Sequence, residues 1–465
     1  MDLEKLDLSE AAEMIKRKEI SPVEITAACL ERIEKVDGKL NSFITLTAES
    51  AQADARQAER EILDGGYRGP LHGIPLALKD LYETQGIRTT AGSRFFTEFV
   101  PEKDGVVVQR LKAAGSVMLG KLNMHEIALG ITNDNPHFGP CRNPWDLERS
   151  PGGSSGGSAA ALAGGLCLAS MGTDTGGSIR IPSALCGVVG LKPTFGRVSL
   201  QGVIPLSWNL DHAGPMARSV RDVAILLQEV AGYDPGDPCS VDVHVGDYLE
   251  ALEDGVKGWR IALASDEFFE QAEPEVLDAV QAAAGVFSDL GAQIEAVDIP
   301  DGYQAAFANG LMTTSDAAAF HQKRLQTRPQ DFGADILQRL QMGAAYTSTE
   351  YILARRTQTR LRRLFEIFFG EFDLLLTPTT PIAAPPIAGP DAVEQAKVLT
   401  RFTAPFNLVG LPALSLPCGY TKTGLPVGLQ IVGPCWGEGR VLRAGFAYEQ
   451  AAGWVGKHRR EPDLN

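Results

Sequence analysis

Between Asn143 and Gly202, glycine, serine and proline are dense, yet apolar stretches of strand and helix length interrupt them throughout. A flexible linker would carry few apolar residues, so this texture points to turns held rigidly between core elements. Two Gly-Gly-Ser turns stand out within it: Ser150-Pro151-Gly152-Gly153-Ser154-Ser155-Gly156-Gly157-Ser158, and Gly172-Thr173-Asp174-Thr175-Gly176-Gly177-Ser178-Ile179-Arg180. Any fold for this chain has to seat both.

The flanking sequence supplies a frame for them. Residues 1–65 read as helices, with Ser21-Pro22-Val23-Glu24 as a capping box and Glu49 to Leu63 in helical period. Ile74 to Leu78 and Ser116 to Leu119 read as short buried strands, with a helix from Val106 to Ala114 between them. Then come a helix (Arg218 to Ala231), a surface connection (Tyr233 to Asp247), a strand (Arg260 to Ala264), a helix (Pro274 to Leu290) and a strand (Gln293 to Val297). Tyr351 to Phe369 reads as a long helix and Leu374 to Leu376 as a buried strand. Two strand-like runs, Ala413 to Leu416 and Val427 to Val432, and a helix from Arg440 to Ala452 close the chain. Strands alternating with helices predict an α/β layered fold around a mixed sheet.

Charge and cysteine usage narrow the function classes. Against 43 Lys and Arg stand 58 Asp and Glu, a net charge of −15, which argues against non-specific binding to nucleic acid or an anionic membrane. The 7 cysteines (Cys29, Cys141, Cys167, Cys186, Cys239, Cys418 and Cys435) are odd in number and form no Cys-x-x-Cys. Neither a disulfide framework nor a thiolate zinc site is expected, and a reducing cytoplasmic setting is. The charged N-terminus does not read as a signal peptide, and the apolar run Ala159 to Met171 is too short to span a bilayer. Asp237, Asp242 and His244 lack ligand spacing, so no metal is expected there.

Several chemistries compete for the glycine-rich segment. A phosphate-cradling loop would need Gly-Lys-Ser/Thr or G-x-G-x-x-G at a strand–helix junction, and neither is present. Gly152 to Gly156 formally matches the G-x-S-x-G nucleophile elbow, but His212, His244, His321 and His458 sit in no recognisable triad context. Simple tight turns would leave the pairing of the two motifs unexplained. The remaining reading is a serine nucleophile whose base is not histidine. Lysine serves as that base only when neutral, and burial at a strand end can lower its pKa from about 10.4 to about 7–8. Lys79 ends the apolar run Ile74 to Leu78 and is the candidate. Thr175-Gly176-Gly177-Ser178 sets unobstructed backbone amides ahead of a serine at a helix start, an arrangement suited to a tetrahedral oxyanion. Ser178 is then the nucleophile, and a second serine must pass its proton to Lys79.

These segments resemble the amidase signature family. The likeness covers nearly the whole chain: Gly73-Ile74-Pro75 with Lys79-Asp80, Gly120 to Met124, Pro151 to Ala161, Gly172 to Pro182, Gly187 to Arg197, and Gly410-Leu411-Pro412-Ala413. The resemblance implies one domain over residues 1–465, its mixed sheet covered by helices on both faces. Within it, residues 1–65 form a helical segment, 66–232 the catalytic core, 233–400 a variable substrate-pocket region and 401–465 a return to the core. It implies Lys79 as base, Ser154 as a relay in a cis peptide, Ser178 as nucleophile, and the amides of Thr175, Gly176, Gly177 and Ser178 as the oxyanion hole. Ser155 is expected to hydrogen-bond within the triad, Asp174 and Arg180 to form a structural ion pair, and Asn123 to hold a turn.

The resemblance implies a serine amidohydrolase that needs no cofactor and cleaves carboxylic amides, with carbamates (urethanes), anilides and esters open as substrates. The alternative is the glutaminase component of a tRNA-dependent glutamyl/aspartyl amidotransferase. The stretches beginning Tyr351-Ile352-Leu353-Ala354-Arg355-Arg356 and Arg401-Phe402-Thr403-Ala404-Pro405-Phe406-Asn407 resemble stand-alone amidases more. The amidotransferase component is expected to show an alanine- and serine-rich tract, then a Tyr-Asp-Gly-type turn, around the first. Small-molecule substrates, no nucleic acid, no membrane and a homodimer are accordingly expected. Phe307, Leu311, Met312, Phe320 and Met342 suggest an apolar pocket or core, and Arg355, Arg356, Arg360, Arg362 and Arg363 a solvated helix face.

Overall fold

The computed structural model describes residues 5–299, 301–389, 392–454 and 460–464. Its strands, in chain order, are β1 (Phe43–Leu46), β2 (Pro75–Lys79), β3 (Val117–Leu122), β4 (Asp134–Asn135), β5 (Gly139–Pro140), β6 (Ala169–Asp174) and β7 (Val189–Lys192). They continue as β8 (His212–Ala217), β9 (Arg260–Ala264), β10 (Gln293–Val297), β11 (Leu374–Pro378), β12 (Ala413–Tyr420) and β13 (Pro426–Val432). The short β4 and β5 pair with each other, and the rest form an 11-stranded sheet in the order β1-β3-β2-β6-β8-β7-β12-β13-β11-β9-β10. The sheet is mixed. Parallel pairing joins β3, β2 and β6 at one side and β11, β9 and β10 at the other, with antiparallel neighbours between.

Burial follows from composition. Every residue of β2, β3, β6, β8, β11 and β13 is buried, and a strand buried along its whole length needs cover on both faces. The Gly156–Ala163 helix packs on β2, β6 and β8, while helices Pro274–Asp289 and Glu438–Ala452 pack on β12. The edge strands β1 and β10 are the more exposed ends of the sheet. The capping box at Ser21 forms as the sequence suggests: the Glu24 amide donates to Ser21 Oγ at 3.1 Å and the Ser21 amide to Glu24 Oε2 at 2.8 Å. The helix it opens runs Pro22–Leu40, beyond the Ile33 reached by the apolar stripe.

Several elements escape a reading of local sequence, strands β1, β6, β7 and β8 among them. Strand β8 contains Gly214 and Pro215, residues that weaken a strand prediction. Its pairing with β7 stops at Met216, so Pro215 owes no amide to that neighbour. Helices Gly302–Phe320 and Ala334–Ala345 lie in the segment expected to be a variable pocket region. The first is buried at Ala305, Ala308, Asn309, Leu311, Met312 and Asp316, around much of its circumference, so no single apolar stripe betrays it. The connection from Tyr233 to Asp247 carries neither helix nor strand, as expected. Its Asp237 accepts the amides of Leu200 and Cys239, which pins the loop. No helix among the described residues is long and apolar enough to cross a membrane, and all seven cysteines are free thiols.

Candidate active site

Register sets Lys79 at the exit of β6. Leu78 of β2 pairs with Met171 of β6, so Lys79 emerges beside Gly172 and Thr173 at the shared C-terminal end of two parallel strands. Lys79 is fully buried. Its Nζ lies 2.7 Å from Ser154 Oγ, 2.9 Å from Thr173 Oγ1 and 3.4 Å from the Thr173 carbonyl. Burial lowers its pKa to about 7, and the negative charges of Asp211 and Asp174 only partly oppose that.

Ser154 sits in the turn that opens the Gly156–Ala163 helix, and the Gly153–Ser154 peptide is cis. The helix approaches the β3 exit so closely that a Cβ on Gly157 would stand 2.3 Å from the Asn123 carbonyl. Asn123 holds this junction, donating to the carbonyls of Asn41 at 2.9 Å and Gly139 at 3.2 Å. Ser155 ties the two turns at backbone level. Its amide donates to the Ser178 carbonyl at 3.2 Å, and its hydroxyl donates to the Thr173 carbonyl at 3.2 Å. The expected hydrogen bond within the triad is made by the Ser155 amide to Ser178, while its hydroxyl goes to the Thr173 carbonyl.

Ser178 follows β6 after the turn Thr175–Gly177 and precedes the Arg180–Cys186 helix. It is 6% exposed, and among the described residues no hydrogen bond joins its hydroxyl to Ser154. Asp174 anchors the turn from within. Its carboxylate accepts the amides of Gly177 at 2.8 Å and Ile179 at 3.1 Å, and Asn407 Nδ2 at 2.8 Å. Arg180 meets it with Nε at 3.0 Å and Nη2 at 2.9 Å. Burial would raise the Asp174 carboxyl, but the Arg180 guanidinium, with help from Lys192 and Asn407, holds it well below the ordinary carboxylate range. The ion-pair reading of Asp174 and Arg180 is thus what the structure contains. The Gly177 amide is spent on Asp174, leaving those of Thr175, Gly176 and Ser178 without a protein partner among the described residues.

The other expected groups fall apart. Leu311 and Met312 are core residues, while Phe307 and Met342 are exposed, so these side chains do not converge on an apolar pocket. His212 is buried with Nδ1 against the carbonyls of Asp174 and Leu210, where it can only donate. Burial holds its pKa well below the usual value, so it is a neutral structural group. His458 lies outside the described residues. Arg360 and Arg363 are exposed on their helix and pair with Asp301 and Glu366.

Comparison with known proteins decides the family. The sequence profile described as Amidase matches residues 24–442. The chain belongs to the amidase family. It is an enzyme of the class that cleaves carbon–nitrogen bonds. It is 42% identical over 488 residues to a glutamyl-tRNA(Gln) amidotransferase subunit of Moorella thermoacetica, covering 100% of this chain and 99% of that one. Among solved structures it is similar to one described under "An unexpected vestigial protein complex reveals the evolutionary origins of an s-triazine catabolic enzyme". The two share 36% identity and a TM-score of 0.92, over 96% of this chain and 98% of that one. A bacterial aryl acylamidase of the amidase signature family matches with a TM-score of 0.89 and 29% identity over 97% of each chain.

Sequence reasoning missed five groups that this amidase places around the site. Thr173 and Asp211 flank Lys79 and the turn, and Asn309, Thr403 and Asn407 reach the turn's carbonyls. Asp211 accepts Thr175 Oγ1 at 2.5 Å and the amides of Leu206 and Ser207 at 2.8 and 3.0 Å. Burial raises its carboxyl to about 6, against the pull of those bonds and of Lys79. Thr173 lies within a quoted motif without being singled out, and Thr403 and Asn407 stand in a stretch noted for its resemblance alone. Asp211 and Asn309 carry no local signal.

Proposed function

We propose that this amidase hydrolyses carboxylic amides by acyl transfer to Ser178, with Lys79 as base and Ser154 as proton relay. The observation that carries the reading is the fully buried Lys79 amine held 2.7 Å from Ser154 Oγ. A neutral amine has two N–H donors and one lone pair. The two Thr173 oxygens take the donors, which leaves the lone pair facing Ser154. Ser154 gives its proton to Lys79 while accepting that of Ser178, and Ser178 Oγ attacks the amide carbon. Bound substrate completes the contact between the two hydroxyls, as catalytic hydrogen bonds commonly tighten on binding. The oxyanion meets the free amides of Thr175, Gly176 and Ser178. As the C–N bond breaks, the proton returns through Ser154 to the departing amine. Water then retraces the route and releases the acid.

On the wider role, the sequence expectation put a stand-alone amidase ahead of the amidotransferase component, and the full-length relatives favour the reverse. The relative named as a glutamyl-tRNA(Gln) amidotransferase subunit is 42% identical, against 29% for the aryl acylamidase. The amidotransferase reading makes glutamine the substrate and brings a partner protein and a tRNA, where no nucleic acid was expected. The stand-alone reading keeps one local support: Thr347 and Glu350 form a capping box that opens the Ser348–Phe368 helix, where the amidotransferase component is expected to carry a Tyr-Asp-Gly-type turn. Carbamates, anilides and esters stay within the chemistry of either reading.

The deciding assay measures glutamine and aryl-amide turnover by the purified chain, alone and as the complex recovered with it from its native host. Glutamine turnover that needs the recovered partner supports the amidotransferase reading. Turnover of the aryl amide by the chain alone supports the stand-alone enzyme. A fluorophosphonate adduct on any residue other than Ser178 overturns both.

A further inference from the structure

Every carbonyl in the turn leading to Ser178 is held. Asp174 O accepts Asn407 Nδ2 at 3.0 Å and His212 Nδ1 at 3.1 Å. Thr175 O accepts Asn309 Nδ2 at 3.2 Å, Gly176 O accepts Thr403 Oγ1 at 2.6 Å, and Gly177 O accepts the Ile181 amide at 2.7 Å. A trans peptide unit is planar, with its C=O and N–H pointing in opposite directions. Holding one carbonyl therefore aims the following N–H.

The turn contains its own check of that rule. With Gly176 O turned towards Thr403, the Gly177 N–H must point the other way, and Asp174 Oδ1 receives it at 2.8 Å. By the same rule, Asn309 on Thr175 O aims the Gly176 N–H away from the Gly302–Phe320 helix. That N–H has no protein partner among the described residues.

Gly176 is the weak point of the turn. Without a side chain, the peptide planes on both sides of it can rotate at little steric cost. Half a turn of the Thr175–Gly176 plane would present an oxygen, not an N–H, to the developing oxyanion. Asn309 and Thr403 hold the two carbonyls that flank this glycine, and both are buried, at 3% and 0% exposure. They also crowd the turn sterically. A Cβ on Gly176 would stand 3.2 Å from Asn309 Oδ1, and one on Gly177 would stand 2.3 Å from Thr403 Oγ1.

We propose that Asn309 and Thr403 are positioning residues for the oxyanion hole, acting by locking the two peptide planes on either side of Gly176. The inference rests on the acyl-transfer reading above. It gives the Gly302–Phe320 helix, in the region expected only to shape a pocket, a direct hold on the catalytic turn.

The test uses Thr403→Val, which keeps the shape and loses the hydroxyl, Thr403→Ser, which keeps the hydroxyl, and Asn309→Leu. For each, kcat and KM on an aryl amide, the rate of fluorophosphonate labelling and Tm are measured. Loss of one direct oxyanion donor costs about 10²–10³ in kcat. Asn309→Leu frees the plane that carries the Gly176 N–H and is expected to lower kcat about 10- to 100-fold. Thr403→Val frees the neighbouring plane, whose N–H Asp174 still holds, and is expected to lower it less, about 3- to 10-fold. Both keep KM within about threefold and Tm close to wild type. Thr403→Ser recovers most of the loss, and labelling of Ser178 slows in parallel, because that reaction also builds charge on an oxygen in the hole. Wild-type kcat and labelling in Asn309→Leu, or a Thr403→Ser enzyme as slow as Thr403→Val, overturns the proposal. In either case, wild-type chain labelled at Ser178 leaves the acyl-transfer reading standing. Labelling elsewhere removes that reading, and this inference with it.

Discussion

Arg180 grips Asp174 through two parallel hydrogen bonds, Nε to Oδ2 at 3.0 Å and Nη2 to Oδ1 at 2.9 Å, with both side chains fully buried. The remaining guanidinium nitrogen reaches the Thr403 carbonyl and Gln430 Oε1 at 3.0 and 2.6 Å. One planar cation thus joins the turn before Ser178 to two elements from the far end of the chain. Lysine cannot reproduce that fork. Removing one partner of a buried pair typically costs about 3–5 kcal/mol, because the other charge stays behind. Arg180→Met, which leaves the Asp174 charge behind, is therefore expected to lower unfolding free energy by an amount of that order, Arg180→Lys by less because it keeps the charge, and both to slow Ser178 labelling. Urea denaturation at pH 7 and a labelling time course check it.

Lys79 should be a stability liability at neutral pH. Its folded pKa of about 7 lies below that of an unfolded lysine, so between these values the unfolded chain binds the extra proton. Stability then rises with pH from about 7 towards about 10, and the penalty is complete at and below about 7. Lys79→Met removes the amine and keeps the bulk. It is expected to be inactive yet more stable than wild type at pH 6–7, with the difference shrinking towards pH 10. Paired melts at several pH values check this, and a gap that widened with pH would contradict a neutral lysine.

Asp211 should set the acid limb of the rate profile. Burial lowers the Lys79 pKa, and the carboxylates of Asp211 and Asp174 push it back up. Taking away one of those charges leaves Lys79 easier to deprotonate. In Asp211→Asn, the acid limb of kcat/KM is expected to move to lower pH, even as loss of an acceptor for Thr175 lowers the plateau. A limb displaced to higher pH would mean that the titrating group is not Lys79.

Gly157 should tolerate no side chain. A Cβ there meets the Asn123 carbonyl at 2.3 Å, and since that oxygen is backbone and a Cβ is fixed rigidly to its own Cα, neither can swing aside. Gly157→Ala is expected to cost about 1–3 kcal/mol, the ordinary range for overpacking, and to displace the helix entry that carries Ser154. Thermal unfolding and Ser178 labelling report the two effects separately.

Most of the frame was legible because strands such as Arg260–Ala264 and Gln293–Val297 are short apolar or alternating runs between clear turn signals. Lys79 could be picked out for the same reason, since a lysine closing a buried strand has no solvent to reach. Ser178 was legible from amides and a helix start in its own neighbourhood. The contacts of Asp211 and Asn309 were not. They reach their partners across 36 and 134 residues of chain respectively, and nothing within a few positions of either signals the destination. Strand β8 was missed because pairing, not propensity, makes it a strand: His212 to Ala217 align with Asp174 to Ala169.

The Asn309, Thr403 and Asn407 bonds tie the turn before Ser178 to the second half of the chain. A gene truncated after residue 232 would still encode Lys79, Ser154 and Ser178, but its product would lack these three anchors and strands β12 and β13. On the proposed mechanism, fission of this chain into halves would leave Lys79, Ser154 and Ser178 on one fragment and the side chains that brace their turn on the other.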